Sequence, residues 1–567
     1  MFRKLMWYNF LIGLQDQRGL PMSVSTDAKF EHRDQRSNSY YASGYWDDST
    51  LPQFIDKWAD ADPDHPYLSD GAHAYTYGEF RSLAWKLAGV LTDLGVARGD
   101  RLVVQLPNWS EFFIVYAAAS RIGAVTVPVV TVYRDHEVQF IVENSEAVGF
   151  ITAGTFRGYD HAAMARRIAD VVSTLKFQII VRGDVDSNAL GFEKLMNQSD
   201  VTPSADVSAA DDAHIILYSS GTESRPKGCL HSWNSAAYLP KQAVPVLNMV
   251  RSDVMFVPSP ITHALGLTLG VMAPTIAGAQ AHLLDIFEPS VALTRIESYG
   301  CTGTASPAPF IRMLLDAHDP AVNDMSRLRY WLTAGAVIPA ALIEEAAEKL
   351  SGCRVVSAYG SSEVMMATVC RPEDSVEQVA ASDGAPVPGV ELRIVDLDEK
   401  VVGPGVDGEI RYRGPGQLQE YWKRPDLMSG AIDSDGFWRT GDLGKLDENG
   451  YLRVTGRLKD IIIRGGFNIS AREVEEALLR NPGIADVAVI GLPDERVGER
   501  ACAVVITRDG YVPTVEDLKR YLVNEHRIAL WKVPERVEVV EEFPRTPTGK
   551  IQKFALRKSY STTTSEK

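Results

Sequence analysis

Cysteine is scarce in this sequence. The five present, Cys229, Cys301, Cys353, Cys370 and Cys502, lie far apart, and no two are spaced C-x-x-C. That excludes a disulfide framework and a zinc ribbon, and it fits a reducing compartment. Long apolar runs are missing as well: no stretch reaches the roughly 18 apolar residues that a membrane helix needs. Positive charge is in deficit, with 58 Lys and Arg against 74 Asp and Glu and a net charge of −16. A field of that sign repels nucleic acid and anionic membranes, so neither is expected as a partner. Small anionic ligands stay admissible where local donors overcome the field. No internal repeat appears at a solenoid period.

What is present is ordinary globular composition, 45% hydrophobic and 23% charged over 567 residues. Roughly 150 residues per domain gives three to four domain-sized units. A chain this long buries about three quarters of its unfolded surface and needs no covalent staples. Near the start, Arg3 and Lys4 precede a mildly apolar run from Leu5 to Leu14 that faintly resembles a secretory signal. Asn9 and Gly13 break that run, and Gln15-Asp16-Gln17-Arg18 follows where small residues belong. The expectation is a disordered leader, or an upstream extension with Met22 as the start, on a cytoplasmic protein. The Ser- and Thr-rich tail from Tyr560 to Lys567 is expected to fray.

From Arg101 the pattern alternates strand and helix. Arg101–Leu106, Ala124–Val130 and Gly149–Thr152 read as strands. Trp109, Phe112, Phe113 and Tyr116 recur at helical spacing between the first two, and Asp135–Glu143 reads as a helix. Such alternation implies right-handed crossovers and a parallel sheet covered on both faces. The same pattern returns with strand Leu328–Thr333, helix Pro339–Leu350 and strand Arg354–Tyr359. Glycine turns at Ala334-Gly335-Ala336 and Gly360-Ser361-Ser362 are expected beyond those strands' carboxyl ends, where open α/β sheets bind ligands. From about Gly384 to Leu452 short glycine-punctuated strands suggest a β-rich subdomain, and a compact strand-helix-strand stretch follows Arg457.

Several motifs carry chemistry. Tyr218-Ser219-Ser220-Gly221-Thr222-Glu223-Ser224-Arg225-Pro226-Lys227-Gly228 follows the apolar run His214–Leu217. A strand feeding a loop of hydroxyls, glycine and one lysine can wrap phosphates with backbone N–H groups and a point charge. It is not a Walker loop, and read alone it is equally a plain surface loop. Gly403-Pro404-Gly405-Val406-Asp407-Gly408 matches G-x-G-x-x-G but opens no helix, so it reads as a turn cluster. Tyr359-Gly360-Ser361-Ser362-Glu363 offers a ring that can stack on a base and oxygens that can hold Mg²⁺. Read alone, that is a strand-end tyrosine and a solvated glutamate. Asp442 in Thr440-Gly441-Asp442, with Arg457 fifteen residues on, can grip a ribose; by itself the pair is a weak signal. Pro544–Lys553 reads by itself as a basic tail turn.

Taken together and in order, these segments resemble the adenylate-forming superfamily of acyl-CoA synthetases, aryl-CoA ligases, peptide-synthetase adenylation domains and luciferases. The resemblance runs from about Gly44 to Lys558 through YSSGTESRPKG, PITHALGL, TAGAVIP, YGSSE, TGDLG, GRLKD, RGGFNISAREVE and PRTPTGKIQK. The last two look most like the branch that activates short- to medium-chain and alicyclic acids for CoA.

The resemblance implies an α/β fold. A large N-terminal domain would combine parallel-rich α/β subdomains with a β-rich one, beside a small mobile α+β C-terminal domain. Its bounds would be a leader over 1–43, an AMP- and acyl-binding domain over 44–456, a hinge at 457–459, a lid over 460–558 and a tail over 559–567. The implied activity joins a carboxylic acid to CoA through an acyl-adenylate, using ATP and Mg²⁺ and releasing AMP and pyrophosphate. Carried over position by position, Ser219, Ser220, Gly221, Thr222, Lys227 and Gly228 would hold the β- and γ-phosphates. Gly335, Ala336 and Tyr359 would sandwich adenine, and Gly360 would also belong to the cofactor-binding set. Ser362 keeps a hydroxyl where the family usually has Thr. Glu363 would bind Mg²⁺, Asp442 the ribose and Arg457 the ribose or phosphate. Lys550 would reach the α-phosphate, and His263 matches a gate beside the carboxyl group or else a wall residue packed against Leu265 and Leu267. Lys459 matches the hinge, and Gly465 and Gly466 would line the pantetheine tunnel, where only a bare backbone lets the thiol arm pass.

Three departures from the family pattern stand out. Trp233 replaces a common His, which suggests an unusual acyl pocket. Glu223 puts a negative charge in the phosphate loop, and Ala471 replaces a common Pro. The alternatives are an enzyme that loads a carrier-protein phosphopantetheine, and a nucleotide-binding regulator without turnover. The expected partners are a medium-chain, alicyclic or aromatic acid, ATP and CoA. A homo-oligomer is compatible with the sequence, and a carrier protein enters only under the first alternative.

Overall fold

Short runs of β-branched residues alternating with buried helices build the chain's larger compact unit, Asp47–Leu458 with Phe543–Phe554. The computed structural model describes residues 37–185, 189–198, 205–219, 226–335, 338–350, 352–508, 510–546 and 550–561. In an eight-stranded sheet the neighbours run, by first residue, 420, 227, 213, 125, 101, 149, 177 and 190. The inner pairs are parallel, and the 213–219, 227–232 and 420–421 strands close one edge antiparallel. Leu102, Val103 and Val104 are wholly buried, as a strand covered on both faces requires. The Ser110–Arg121 helix buries Phe112, Phe113 and Tyr116 on that sheet. Its neighbour Tyr77–Asp93 starts in a capping box between Thr76 and Glu79.

A nine-stranded sheet of the same unit orders its strands 385, 365, 354, 330, 303, 254, 280, 66 and 74, again parallel through the centre. Asn108 joins the two sheets. It follows the Arg101–Gln105 strand, and its amide donates to the carbonyls of Val257 (3.1 Å), Ser259 (2.8 Å) and Leu284 (3.0 Å). Its oxygen accepts from the Ile261 amide at 2.9 Å, so a side chain only 5% exposed has its hydrogen-bonding capacity met. The β-rich segment is a four-stranded antiparallel sheet of Glu391–Val395, Gly408–Arg413, Trp438–Leu446 and Leu452–Arg457. Ile394, Ile410 and Leu452 form its core. Gly405, with φ +78°, turns ahead of the Gly408–Arg413 strand, so this glycine cluster opens no helix.

The smaller unit gathers Lys459–Glu542 with residues 37–46 and 555–561. Its five-stranded sheet pairs Ile484–Asp494 with Gly498–Thr507 in a long hairpin. Ala471 opens the Ala471–Leu478 helix behind the Ser470 cap. The boundary between units falls between Leu458 and Lys459, and Phe543–Phe554 groups with the larger unit.

The two ends are described only in part. Residues 37–42 are helical although they fall within the 1–43 leader, and the Lys553–Ser561 helix runs through positions assigned to a frayed tail. Residues 1–36 and 562–567 lie outside the described residues. All five cysteines are free and buried. Among the described residues no helix is long and apolar enough to cross a membrane.

Candidate active site

The phosphate-loop motif is the connection of an antiparallel hairpin. Strands Ala213–Ser219 and Lys227–Ser232 pair in register down to Ser219 opposite Lys227. The loop therefore leaves the sheet at the carboxyl end of a strand that runs parallel to Val125–Pro128. Ser220, Gly221, Thr222, Glu223 and Arg225 lie outside the described residues, as do the Ser219 side chain and Ala336. A Cβ at Gly228 would lie 2.8 Å from Ile216 and 3.2 Å from Trp422, so the strand admits no side chain there. The Lys227 ammonium lies 5.7 Å from the centre of the Tyr421 ring.

The second sheet contributes Gly335, Tyr359 and Glu363. Gly335 turns the chain after Tyr330–Ala334 with φ +89°, a conformation that glycine adopts without strain. Gly360 departs from expectation. It lies within the Arg354–Ser361 strand opposite Met366, where a Cβ would come 1.8 Å from the Met365 carbonyl oxygen. Close backbone approach, and not a turn, requires this glycine. The turn comes one step later, over Ser362, Glu363 and Val364, ahead of Met365 at φ +56°. The Glu363 amide donates to Ser361 Oγ at 3.2 Å, and its carbonyl accepts from Leu418 at 2.7 Å. Its Oε1 accepts from the Tyr421 hydroxyl at 2.9 Å. Burial and this carboxylate both push the Tyr421 phenol's pKa up.

The four-stranded sheet supplies Asp442 and Arg457. A gap of fifteen residues puts them directly opposite in the 438–446/452–457 hairpin, with Arg457 Nε 2.9 Å from Asp442 Oδ1. Tyr359 donates its hydroxyl to Asp442 Oδ2 at 2.7 Å. Burial, then the Asp442 charge, hold that phenol well above the usual tyrosine range. Each carboxylate oxygen has lone-pair capacity beyond these contacts, so the same group can still accept from a ligand's hydroxyls.

Lys550 closes the cluster. Its amide donates to Thr546 Oγ1 at 3.1 Å, and its carbonyl accepts from the Thr546 amide at 2.7 Å. Its Cε lies 3.8 Å from where a Cβ on Gly335 would stand. Burial, then Arg457, lower the ammonium's pKa to about 8, while Asp442 and Glu363 pull it back up. His263 belongs to the same electrostatic neighbourhood, for burial and then Lys550 push its imidazole down to about 4. The His263 amide donates to the Pro260 carbonyl at 3.0 Å, in the loop that Asn108 fixes.

Trp233, expected to shape an acyl pocket, is 2% exposed and spends its indole N–H on the Ser49 carbonyl, 2.6 Å away. Its ring packs edge-on to His214. Within the smaller unit, Lys459 sits in the short 3₁₀ turn Leu458–Asp460. Gly465 (φ +57°) and Gly466 (φ +88°) form the exposed tip of the hairpin between Ile462–Arg464 and Phe467–Ile469, with nothing within 4 Å of an added Cβ.

Residues 55–422 match the AMP-binding enzyme family, and residues 473–550 match the AMP-binding enzyme C-terminal domain. The chain belongs to the AMP-binding enzyme family. It is 35% identical to the medium-chain fatty-acid–CoA ligase of Escherichia coli K12 over 535 residues, 93% of each chain. It is 33% identical to the 2,3-dihydroxybenzoate-AMP ligase of Bacillus subtilis 168, over 93% of this chain and 97% of that one. The crystal structure of ATP-bound MatB from Rhodopseudomonas palustris superposes with a TM-score of 0.81 at 28% identity, covering 90% of this chain and 99% of that one. The reaction class is therefore adenylate-forming acid ligation.

Magnesium in such an AMP-binding enzyme needs hard oxygen donors beside a polyphosphate. Glu363, with the Ser361 and Ser362 hydroxyls nearby in the chain, supplies that chemistry, since Mg²⁺ is commonly held by one or two carboxylates plus substrate phosphates. Asp70, His73 and Glu111 also converge, but Arg182 fills that cluster, donating to Asp70 and to both Glu111 oxygens at 2.8 Å. Sequence reasoning missed Asn108, Tyr421 and His231, which act on backbone groups or on another side chain and leave no spaced motif.

Proposed function

We propose that this AMP-binding enzyme is an acid–thiol ligase that converts a carboxylic acid, ATP and CoA to an acyl-CoA, AMP and pyrophosphate. The observation that carries this reading is the Lys550 ammonium beside Gly335, in one electrostatic neighbourhood with Arg457, Asp442, Glu363 and His263. A cation with a lowered pKa, seated where a nucleotide cradle converges, suits an α-phosphate that gains negative charge during attack.

In the first half-reaction a carboxylate oxygen of the acid bonds to the α-phosphorus, and the bond to pyrophosphate breaks. Both reacting groups come from substrates, so the protein's work is positioning and charge stabilisation. Thr222, Lys227 and the rest of the Ser219–Gly228 loop hold the β- and γ-phosphates. Tyr359, Gly335 and Ala336 frame the adenine, and Asp442 with Arg457 holds the ribose. Lys550 donates to the α-phosphate oxygens, and His263 stands beside the carboxyl group. Glu363 would hold Mg²⁺, which would supply neutralisation of the phosphate charge when bound. In the second half-reaction the CoA sulfur bonds to the acyl carbon, the bond to AMP breaks and the thiol proton is lost. The chain pivots at Lys459 between the two steps, and Gly465 and Gly466 leave room for the pantetheine arm.

Relatives named for medium-chain and for aromatic acids favour a medium-chain or aromatic substrate, and the alicyclic option rests on the resemblance of the C-terminal motifs. A second reading passes the acyl group to a carrier-protein phosphopantetheine. The similarity to a ligase named for an acid–AMP product favours it. The test is an end-point mass analysis with Mg²⁺, ATP, CoA and a pooled panel of aliphatic, alicyclic and aromatic acids. Acyl-CoA with matching AMP supports the ligase. Acid–AMP adducts without thioester favour the carrier-protein reading.

A further inference from the structure

We infer that His231 is a positioning residue that fixes the Ser362–Glu363 peptide and so aims the Glu363 carboxylate. This rests on the proposed role of Glu363 as the metal-binding carboxylate. His231 lies on the Lys227–Ser232 strand and is fully buried. Its Nε2 is 2.8 Å from the Ser362 carbonyl oxygen, and its Nδ1 is 3.1 Å from Ser235 Oγ. A carbonyl can only accept, so Nε2 carries the proton and Nδ1 accepts from the serine.

The peptide between Ser362 and Glu363 is a rigid plane with two polar ends. His231 holds its carbonyl, and Ser361 Oγ holds its N–H at 3.2 Å. With both ends held, the plane cannot rotate, and the direction in which the Glu363 side chain leaves the backbone is set. The other restraints on Glu363, Leu418 on its carbonyl and Tyr421 on its Oε1, come from a segment docked on the same strand. Cys229 pairs with Tyr421, Leu230 pairs with Glu420, and the Gln419 amide donates to the Leu230 carbonyl at 2.8 Å. One strand therefore begins with Lys227 at the phosphate loop and carries the residues that orient the carboxylate.

The test compares His231→Leu, His231→Gln and His231→Asn with Glu363→Gln in the full-length enzyme. ATP binding is measured by calorimetry with and without Mg²⁺, and pyrophosphate exchange is followed against free Mg²⁺ and against the acid. His231→Leu should raise the half-activating Mg²⁺ concentration and the KM for MgATP about tenfold, the scale of one hydrogen bond. The acid KM should stay within about twofold, and metal-free ATP binding should not change. A Gln amide nitrogen reaches the Nε2 position and should restore most of the metal response, whereas the shorter Asn should not. If His231→Leu fails to fold, the Gln–Asn pair makes the same comparison. A wild-type Mg²⁺ response in folded Leu or Asn variants overturns the inference, as does an equal shift in the acid and nucleotide constants. If Glu363→Gln leaves the Mg²⁺ response unchanged, the metal role of Glu363 itself fails.

Discussion

Lys550 stands over Gly335, its Cε 3.8 Å from the point where a Cβ would sit. That is ordinary van der Waals distance, so a methyl group at 335 meets no clash. Its cost comes from the backbone, since φ is +89°. Gly335→Ala should destabilise the protein by about 1–2 kcal/mol through that angle alone. Denaturant unfolding checks the magnitude, and a much larger loss would mean that the turn cannot relax.

Removing the ammonium should separate the two half-reactions. Lys550→Ala should cut adenylation by about 10²–10³, the scale for one preorganised donor. Thioester formation from supplied acyl-adenylate should survive. Equal loss in both halves would contradict a role for Lys550 confined to adenylation.

The lowered Lys550 pKa gives this role a pH signature. The group is charged below about 8 and loses its proton above, so kcat/KM for ATP should fall as pH rises through that value. Arginine stays protonated throughout. An active Lys550→Arg variant should therefore lack this alkaline limb, which a pH–rate profile of adenylation would read directly.

Asp442 and Tyr359 should differ sharply in what they contribute. Asp442→Asn removes the charge that pairs with Arg457 and should raise the KM for ATP by about tenfold or more, the range for charged hydrogen bonds. Tyr359→Phe keeps the ring and the Asp442 charge and loses one hydrogen bond to that carboxylate, so the rise should be smaller than for Asp442→Asn. Isothermal titration with ATP ranks the two.

Trp233 is a packing residue in this fold. Trp233→Ala should cost about 3–5 kcal/mol by emptying a buried site, and Trp233→Phe should cost less. The profile of accepted acids should not change in the Phe variant. A shifted profile would return the ring to the acyl pocket.

What the sequence made legible were features with a fixed spacing. The strand–helix alternation foretold both parallel sheets, whereas the Asp442–Arg457 interval reads in sequence only as a weak ribose-gripping pair and becomes a hairpin register in the fold. Gly360 was misread because a glycine that permits close backbone approach has the same letter as one that permits a turn. The clash partner, the Met365 carbonyl, is a backbone atom that no side-chain pattern encodes. His231 and Tyr421 escaped notice for a related reason, since their partners are a carbonyl and a carboxylate brought near by strand pairing. The lowered pKa of Lys550 depends on burial and on Arg457, 93 residues earlier, so it exists only in the folded chain.

Among the described residues the Asn108 amide meets only main-chain atoms, at positions 257, 259, 261 and 284. Such a joint does not read the side chains it fastens. The joint itself makes no demand on those side chains, although Val257, Ser259, Ile261 and Leu284 are buried and Ser259 donates to the Ala305 carbonyl at 2.8 Å; proline at 261 is barred because it has no N–H to offer. The course of the loop leading to His263 is thus pinned by one asparagine through main-chain atoms, a hold separate from the packing of the loop's own buried side chains.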